Sequence, residues 1–203
     1  MYAKDFDNSG KLDLVFGYYN NDTLYPLHGL KSSYSQLAFI KQKFETFDAF
    51  ARATLENIYG TENLKSALAF KTVNFASSYL QNNGEGIFSI VSLPMAAQIS
   101  SVNGILSGDF DGDGHTDIVI AGNMFGSEPE TPRNDASIGL FLRGDGTGNF
   151  IPVPAMESGL NIGGDVRKIS LIRLEKSKAR GIIATKNNSF MQVVKIINGD
   201  QKP

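Results

Sequence analysis

Apolar and polar residues along this chain fall into short segments of two different periods. Most are β-branched or aromatic runs of five to nine residues bounded by Gly, Asn and Asp, the pattern of half-buried strands. They predict strands near 12–18, 73–81, 86–93, 102–108, 117–123, 137–143, 149–153, 166–174, 180–185 and 190–197. Ser32 to Leu68 breaks this rhythm. There Leu37, Ile40, Phe44, Phe47, Phe50, Ala51, Leu55 and Ile58 recur at helical spacing, with Thr46 placed to cap a second helix and Gly60 to stop it. The spacing predicts a two- or three-helix insertion over 32–68, between the second and third strands of a first unit. Two readings of it stand: a lid or partner-docking surface, or a decoration packed on the rim of a sheet.

The strands belong to repeats. Asp5-Phe6-Asp7-Asn8-Ser9-Gly10-Lys11-Leu12-Asp13-Leu14-Val15-Phe16 aligns without gaps on Asp109-Phe110-Asp111-Gly112-Asp113-Gly114-His115-Thr116-Asp117-Ile118-Val119-Ile120. A second pair follows the same order, Tyr79 to Val91 on Phe141 to Val153, with Gly84-Glu85-Gly86 matching Gly146-Thr147-Gly148. Each unit therefore carries an Asp loop, an apolar strand, and a Gly-rich turn between two further strands. A faded third copy runs from Ile169, where Arg173 and Gly181 stand at the first and last acidic positions. It is expected to keep the strands and to have lost any ion. Short strands repeated at this period indicate propeller blades.

The Asp loops are the strongest chemical signal. Carboxylates at relative positions one, three, five and nine repel one another when a turn crowds them, unless a cation sits between them. Alternating side chains aim Asp109, Asp111 and Asp113 at one centre. His115 then offers its backbone carbonyl, and Asp117 closes the shell as its strand begins. All are hard oxygen donors, which favours Ca2+ over Mg2+, since Mg2+ keeps more water. The 5–13 loop has fewer charges, because Ser9 replaces an acid and Lys11 adds a cation. An ion there and an empty loop both stand. An EF-hand is excluded: its twelfth position needs Glu, and Ile120 and Phe16 occupy it.

Composition narrows the class. The 203 residues carry 19 Lys plus Arg against 21 Asp plus Glu, so no basic excess offers itself to phosphates and nucleic acid is a poor partner. No apolar run approaches the ~18 residues of a membrane span, and direct membrane insertion is not expected. The absence of cysteine removes disulfides, thiolate metal sites and Cys nucleophiles together. The opening MYAKDFDNSG lacks a signal-peptide pattern and reads as a chain continuing from something longer. Catalysis finds little to work with. There are two histidines, one inside an Asp loop and His28 alone in YPLHGL, and no nucleophile elbow. Gly144 to Gly148 resembles a phosphate cradle but lacks the Lys-Ser/Thr ending, and a strand follows it. The polar loop with Glu128, Glu130 and Asp135 reads either as a ligand contact or as an exposed turn.

Paired Asp-Phe-Asp-x-x-Gly-x-x-Asp loops, each leading into a Leu/Ile-Val strand, resemble FG-GAP repeats, also called VCBS repeats, the blades of integrin-α-type β-propellers. More narrowly, the helical insert and DASIGLFLRGDGTGNFIPVPAMESGL resemble the C-terminal part of ASPIC/UnbV-type repeat proteins exported by Bacteroidetes. The resemblance implies a mainly β fold: a partial propeller of about three blades, at about 1–94, 102–158 and 164–198, with a small helical insertion. It implies calcium at Asp109, Asp111, Asp113, the His115 carbonyl and Asp117. It implies calcium likewise at Asp5, Asp7, Ser9, the Lys11 carbonyl and Asp13. It also implies a non-catalytic, calcium-stabilised adhesion module of a larger exported protein, periplasmic or at the cell surface, binding protein or glycan. The alternatives are an accessory region of a polysaccharide-acting enzyme, or a structural spacer. Three blades leave unpaired strand edges, so two copies are expected to pair edge to edge unless the blades form an open stack.

Overall fold

The computed structural model describes residues 1–127, 131–174 and 179–197. Strands hold 36% of the residues and helices 18%, so the chain is mainly β, built as several small antiparallel sheets. It divides into two compact units, residues 1–74 and residues from 75 onward.

In the first unit, β1 (Tyr2–Lys4) lies between β2 (Asp13–Val15) and β5 (Leu68–Ala69), and β3 (Gly17–Asn20) forms a hairpin with β4 (Thr23–Pro26). The expected single strand over 12–18 is thus the whole of β2 followed by the start of β3. The hairpin turns on Asn21 and Asp22, both at positive φ (47° and 62°), the backbone a tight two-residue hairpin demands. Instead of two or three helices there are five short ones: α1 (Leu30–Gln36), α2 (Phe39–Lys43), α3 (Phe47–Ala51), α4 (Leu55–Tyr59) and α5 (Thr61–Ser66). Capping residues cut the apolar stretch. Thr46 accepts the Ala49 N–H, Thr54 and Asn57 form a reciprocal capping box, and Gly60 at φ 84° both ends α4 and precedes α5. Pieces this short are not stable helices alone. What holds them is a shared core in which Leu37, Ile40, Leu55 and Ile58 are almost wholly buried.

In the second unit, β6 (Ser78–Asn82) and β7 (Phe88–Ser92) make a hairpin. A one-turn 3₁₀ helix at Met95–Ala97 leads to a four-stranded meander of β8 (Val102–Gly108), β9 (Asp117–Gly122), β10 (Leu140–Gly144) and β11 (Phe150–Val153). After the short α6 (Ala155–Ser158), β12 (Val166–Arg173), β13 (Arg180–Lys186) and β14 (Gln192–Lys195) form a second meander. The strands expected from 73 and from 137 begin only at Ser78 and Leu140.

Within the four-stranded sheet the inner strand β9 is buried on both faces, which explains why it reads as a continuous apolar run. Ile118 and Ile120 join Leu142, Leu93 and Ala97 on one side. Val119 and Ala121 meet Phe141 and, from the next sheet, Val166, Ile169, Ile182 and Ala184 on the other. The two sheets approach closely at Gly104, where a Cβ would lie 2.8 Å from Ile169 Cγ1 and 2.9 Å from its backbone N.

The third sheet repeats the second in detail. Both carry a register irregularity at the same repeat position, Val102/Gly104 and Val166/Lys168. The Asn123 N–H donates to the Ser101 carbonyl at 2.9 Å, and the Asn187 N–H donates to the Asp165 carbonyl at 2.8 Å. The faded copy has kept its strands, as expected.

Candidate metal centre

Both Asp loops span the gap between two antiparallel strands, 5–13 between β1 and β2 and 109–117 between β8 and β9. Their last acids do the same structural work. The buried Asp13 accepts the Phe6 N–H through Oδ2 at 2.9 Å, and the fully buried Asp117 accepts the Phe110 N–H through Oδ2 at 2.9 Å. Asp117 has a second partner, for its Oδ1 accepts the Gly144 N–H at 2.9 Å from β10. Gly144 must be glycine, because a Cβ there would lie 2.0 Å from the Thr116 carbonyl oxygen.

The earlier acids fold the loops onto themselves. Asp109 accepts the N–H groups of Gly112 (2.6 Å) and Gly114 (3.1 Å), and Asp111 accepts that of Asp113 (3.2 Å). Asp5 accepts those of Ser9 (2.9 Å) and Gly10 (2.8 Å), and Asp7 shares Ser9 at 3.1 Å. Donation from the Gly10 amide, seconded by that of Ser9, holds the Asp5 carboxyl below its ordinary range.

One oxygen from each of Asp109, Asp111 and Asp117 lies within 4.8 Å of the others, and the same is true of Asp5, Asp7 and Asp13. Positions one, three and nine thus converge in both loops. In the second loop position five does not. Asp113 is exposed, outside the group, and its Oδ1 accepts the His115 N–H at 2.8 Å. Ser9, at the same position of the first loop, accepts the Lys11 N–H on Oγ at 3.4 Å. The His115 ring lies against Gly146 in the β10–β11 turn. Three convergent carboxylates are a hard, anionic donor set. It suits calcium, and softer transition metals would seek nitrogen or sulfur.

The second site also holds cations that strand periodicity did not reveal. Arg143 on β10 donates from Nε to Asp111 Oδ2 at 2.6 Å, which raises the guanidinium pKa further, and its terminal nitrogen lies 3.8 Å from Glu157. Arg180 on β13 donates to the Asp109 carbonyl at 2.8 Å. Both are 30 or more residues away from their partners, and only a known strand register places them at the loop. The Gly-rich turn beside them is closed by Asp145, which accepts from the Asn149 amide and the Thr147 hydroxyl and amide. The side-chain donors Asn149 and Thr147 hold its carboxyl far below the usual range.

Glu128 and Glu130, and Glu175 to Ser177 of the third loop, lie outside the described residues. Asp135 is exposed, 4.0 Å from Arg133. His28 packs its ring 5.9 Å from Phe16. Among the described residues no helix is long and apolar enough to cross a membrane.

Residues 101–138 match the FG-GAP repeat family, a stretch that takes in β8, the 109–117 loop and β9. No curated protein matches the chain, and no solved structure does.

Proposed function

We propose that the chain is a non-catalytic, calcium-stabilised repeat module of a larger exported protein, with three FG-GAP/VCBS blades arranged as part of a propeller. The observation that carries this reading is the convergence of Asp109, Asp111 and Asp117 inside the stretch that matches the FG-GAP family. The same convergence at Asp5, Asp7 and Asp13 makes it a repeated property rather than a local accident. In this reading the three carboxylates hold the ion, Asp113 turns inward to join them, and the His115 carbonyl completes the shell. The first loop does the same with Ser9 and the Lys11 carbonyl. Arg173 and Gly181 leave the third copy without an ion. Calcium ties the two strands that flank each loop, and protein or glycan is the partner class, bound at the surface the blades present. The narrower likeness to ASPIC/UnbV-type repeat proteins belongs to the same proposal.

A thermal melt of the full chain tests the ion. Extracellular modules of this type bind at about 0.1–1 mM. A few millimolar Ca2+ then stabilises the fold by about 1–2 kcal/mol, a rise of roughly 3–8 °C for a chain of this size. Asp111→Ala should abolish the second loop's share of the rise, Asp111→Ala with Asp7→Ala nearly all of it, and Mg2+ should give little of it. A melting temperature indifferent to Ca2+ and EDTA would overturn the reading.

A further inference from the structure

The cation nearest the second Asp loop is a side chain of the same chain. Arg143 reaches from β10 across to Asp111, 32 residues away, and its Nε donates to Oδ2 at 2.6 Å. Its terminal nitrogen lies 3.8 Å from Glu157 on α6, so the guanidinium sits between two carboxylates and leans on the first. None of the three is locked in a core: their side chains are 43%, 25% and 61% exposed for Arg143, Asp111 and Glu157. All three line one cleft of about 470 Å³ with Asp113, over a floor that includes Phe110 and Phe141. The arginine therefore has room to move from one carboxylate to the other.

A divalent ion entering among Asp109, Asp111 and Asp117 would meet a positive charge already seated on one of its ligands. Like charges at that range repel. In the aligned copy of this hairpin the position of Arg143 is held by the neutral Gln81. We infer that Arg143 is an internal counter-cation of the 109–117 loop, displaced from Asp111 toward Glu157 when a divalent ion binds, so that this arginine sets the loop's ion affinity. The inference rests on the reading of the loop as a cation site.

The sign of two substitutions tests it, by titration calorimetry of the full chain with Ca2+ alone in an Asp7→Ala background, which leaves the second loop to report. Arg143→Gln should tighten binding about fourfold, the worth of a half-exposed ion pair. Glu157→Gln should weaken it about twofold, and the double variant should bind like Arg143→Gln. In the parent chain, Ca2+ should shift the Arg143 Nε–H resonance, a readout that needs no variant. Arg143→Gln that binds as before or more weakly, with an unmoved resonance, would make the arginine an orienting partner of Asp111 and overturn the displacement. Absence of Ca2+ binding in every chain, the parent included, would bring down the metal reading itself and this inference with it.

Discussion

At the scale of single residues, Asp117 carries two duties. Its carboxylate is wholly buried and takes a backbone N–H on each oxygen, from Phe110 at the start of its own loop and from Gly144 on the neighbouring strand. Asp117→Asn would put an amide hydrogen pair where one acceptor is required. It should cost about 1–3 kcal/mol even in EDTA, as measured by denaturant unfolding. Asp109→Asn keeps an acceptor for the exposed loop amides and should cost less than half as much. Asp145 offers a pH test. Its depressed carboxyl means that the Gly-rich turn draws on an ionised group throughout the range above the ordinary value of 3.8. That contribution is present above the unfolded value and lost only as pH falls through the depressed folded one. An NMR titration of its side-chain carbon should show a midpoint well below 3.8, and a midpoint at or above it would contradict the turn's hydrogen bonding. The acids at positions one, three and nine were legible from spacing alone. Gly144 and Arg143 were not, because they come from a strand 27 to 32 residues further on, and only pairing brings them to the loop.

At the scale of elements, the helical stretch shows what periodicity can and cannot say. Apolar spacing located helix between 32 and 68, and Thr46 and Gly60 do cap and stop, but at two different helices, α3 and α4, rather than at the two ends of one second helix. The division at Thr54 was written in the sequence too, as a Thr with Asn three residues on, but the apolar period runs through it undisturbed. Because helices of five to seven residues stand only by packing, the wholly buried Leu55 should be decisive. Leu55→Ala should cost about 2–5 kcal/mol and lower the helical circular dichroism signal of the first unit. Helicity that survives the substitution at unchanged stability would show that the caps suffice. The β3–β4 hairpin was missed for a related reason: Tyr18, Tyr19, Leu24 and Tyr25 do not alternate with polar residues, and the signal lay in the turn pair Asn21-Asp22.

At the scale of the whole molecule, the repeat alignment described the chain better than any single segment did. The second and third sheets share their register irregularity and their Asn-to-carbonyl closure although the third has Arg173 and Gly181 where the second has Asp109 and Asp117. Backbone geometry is kept where the acidic pattern is broken. The two compact units each have their own core, and residues 71–76 between the last strand of one and the first hairpin of the other are exposed and without regular structure. Brief trypsin treatment should therefore cut first at Lys71 and leave two resistant fragments, as read by mass spectrometry. Early cuts spread through either unit would contradict that division.

The close seat of Gly104 against Ile169 has a consequence for anyone who would rearrange these repeats. At the equivalent position the third sheet carries Lys168. Copies of this chain are therefore not interchangeable bricks. A second sheet stacked on the third by the same rule would meet a long charged side chain where the existing junction admits no side chain at all. Order along the chain is written into one position per copy, and a designer wishing to lengthen the array must restore glycine there first.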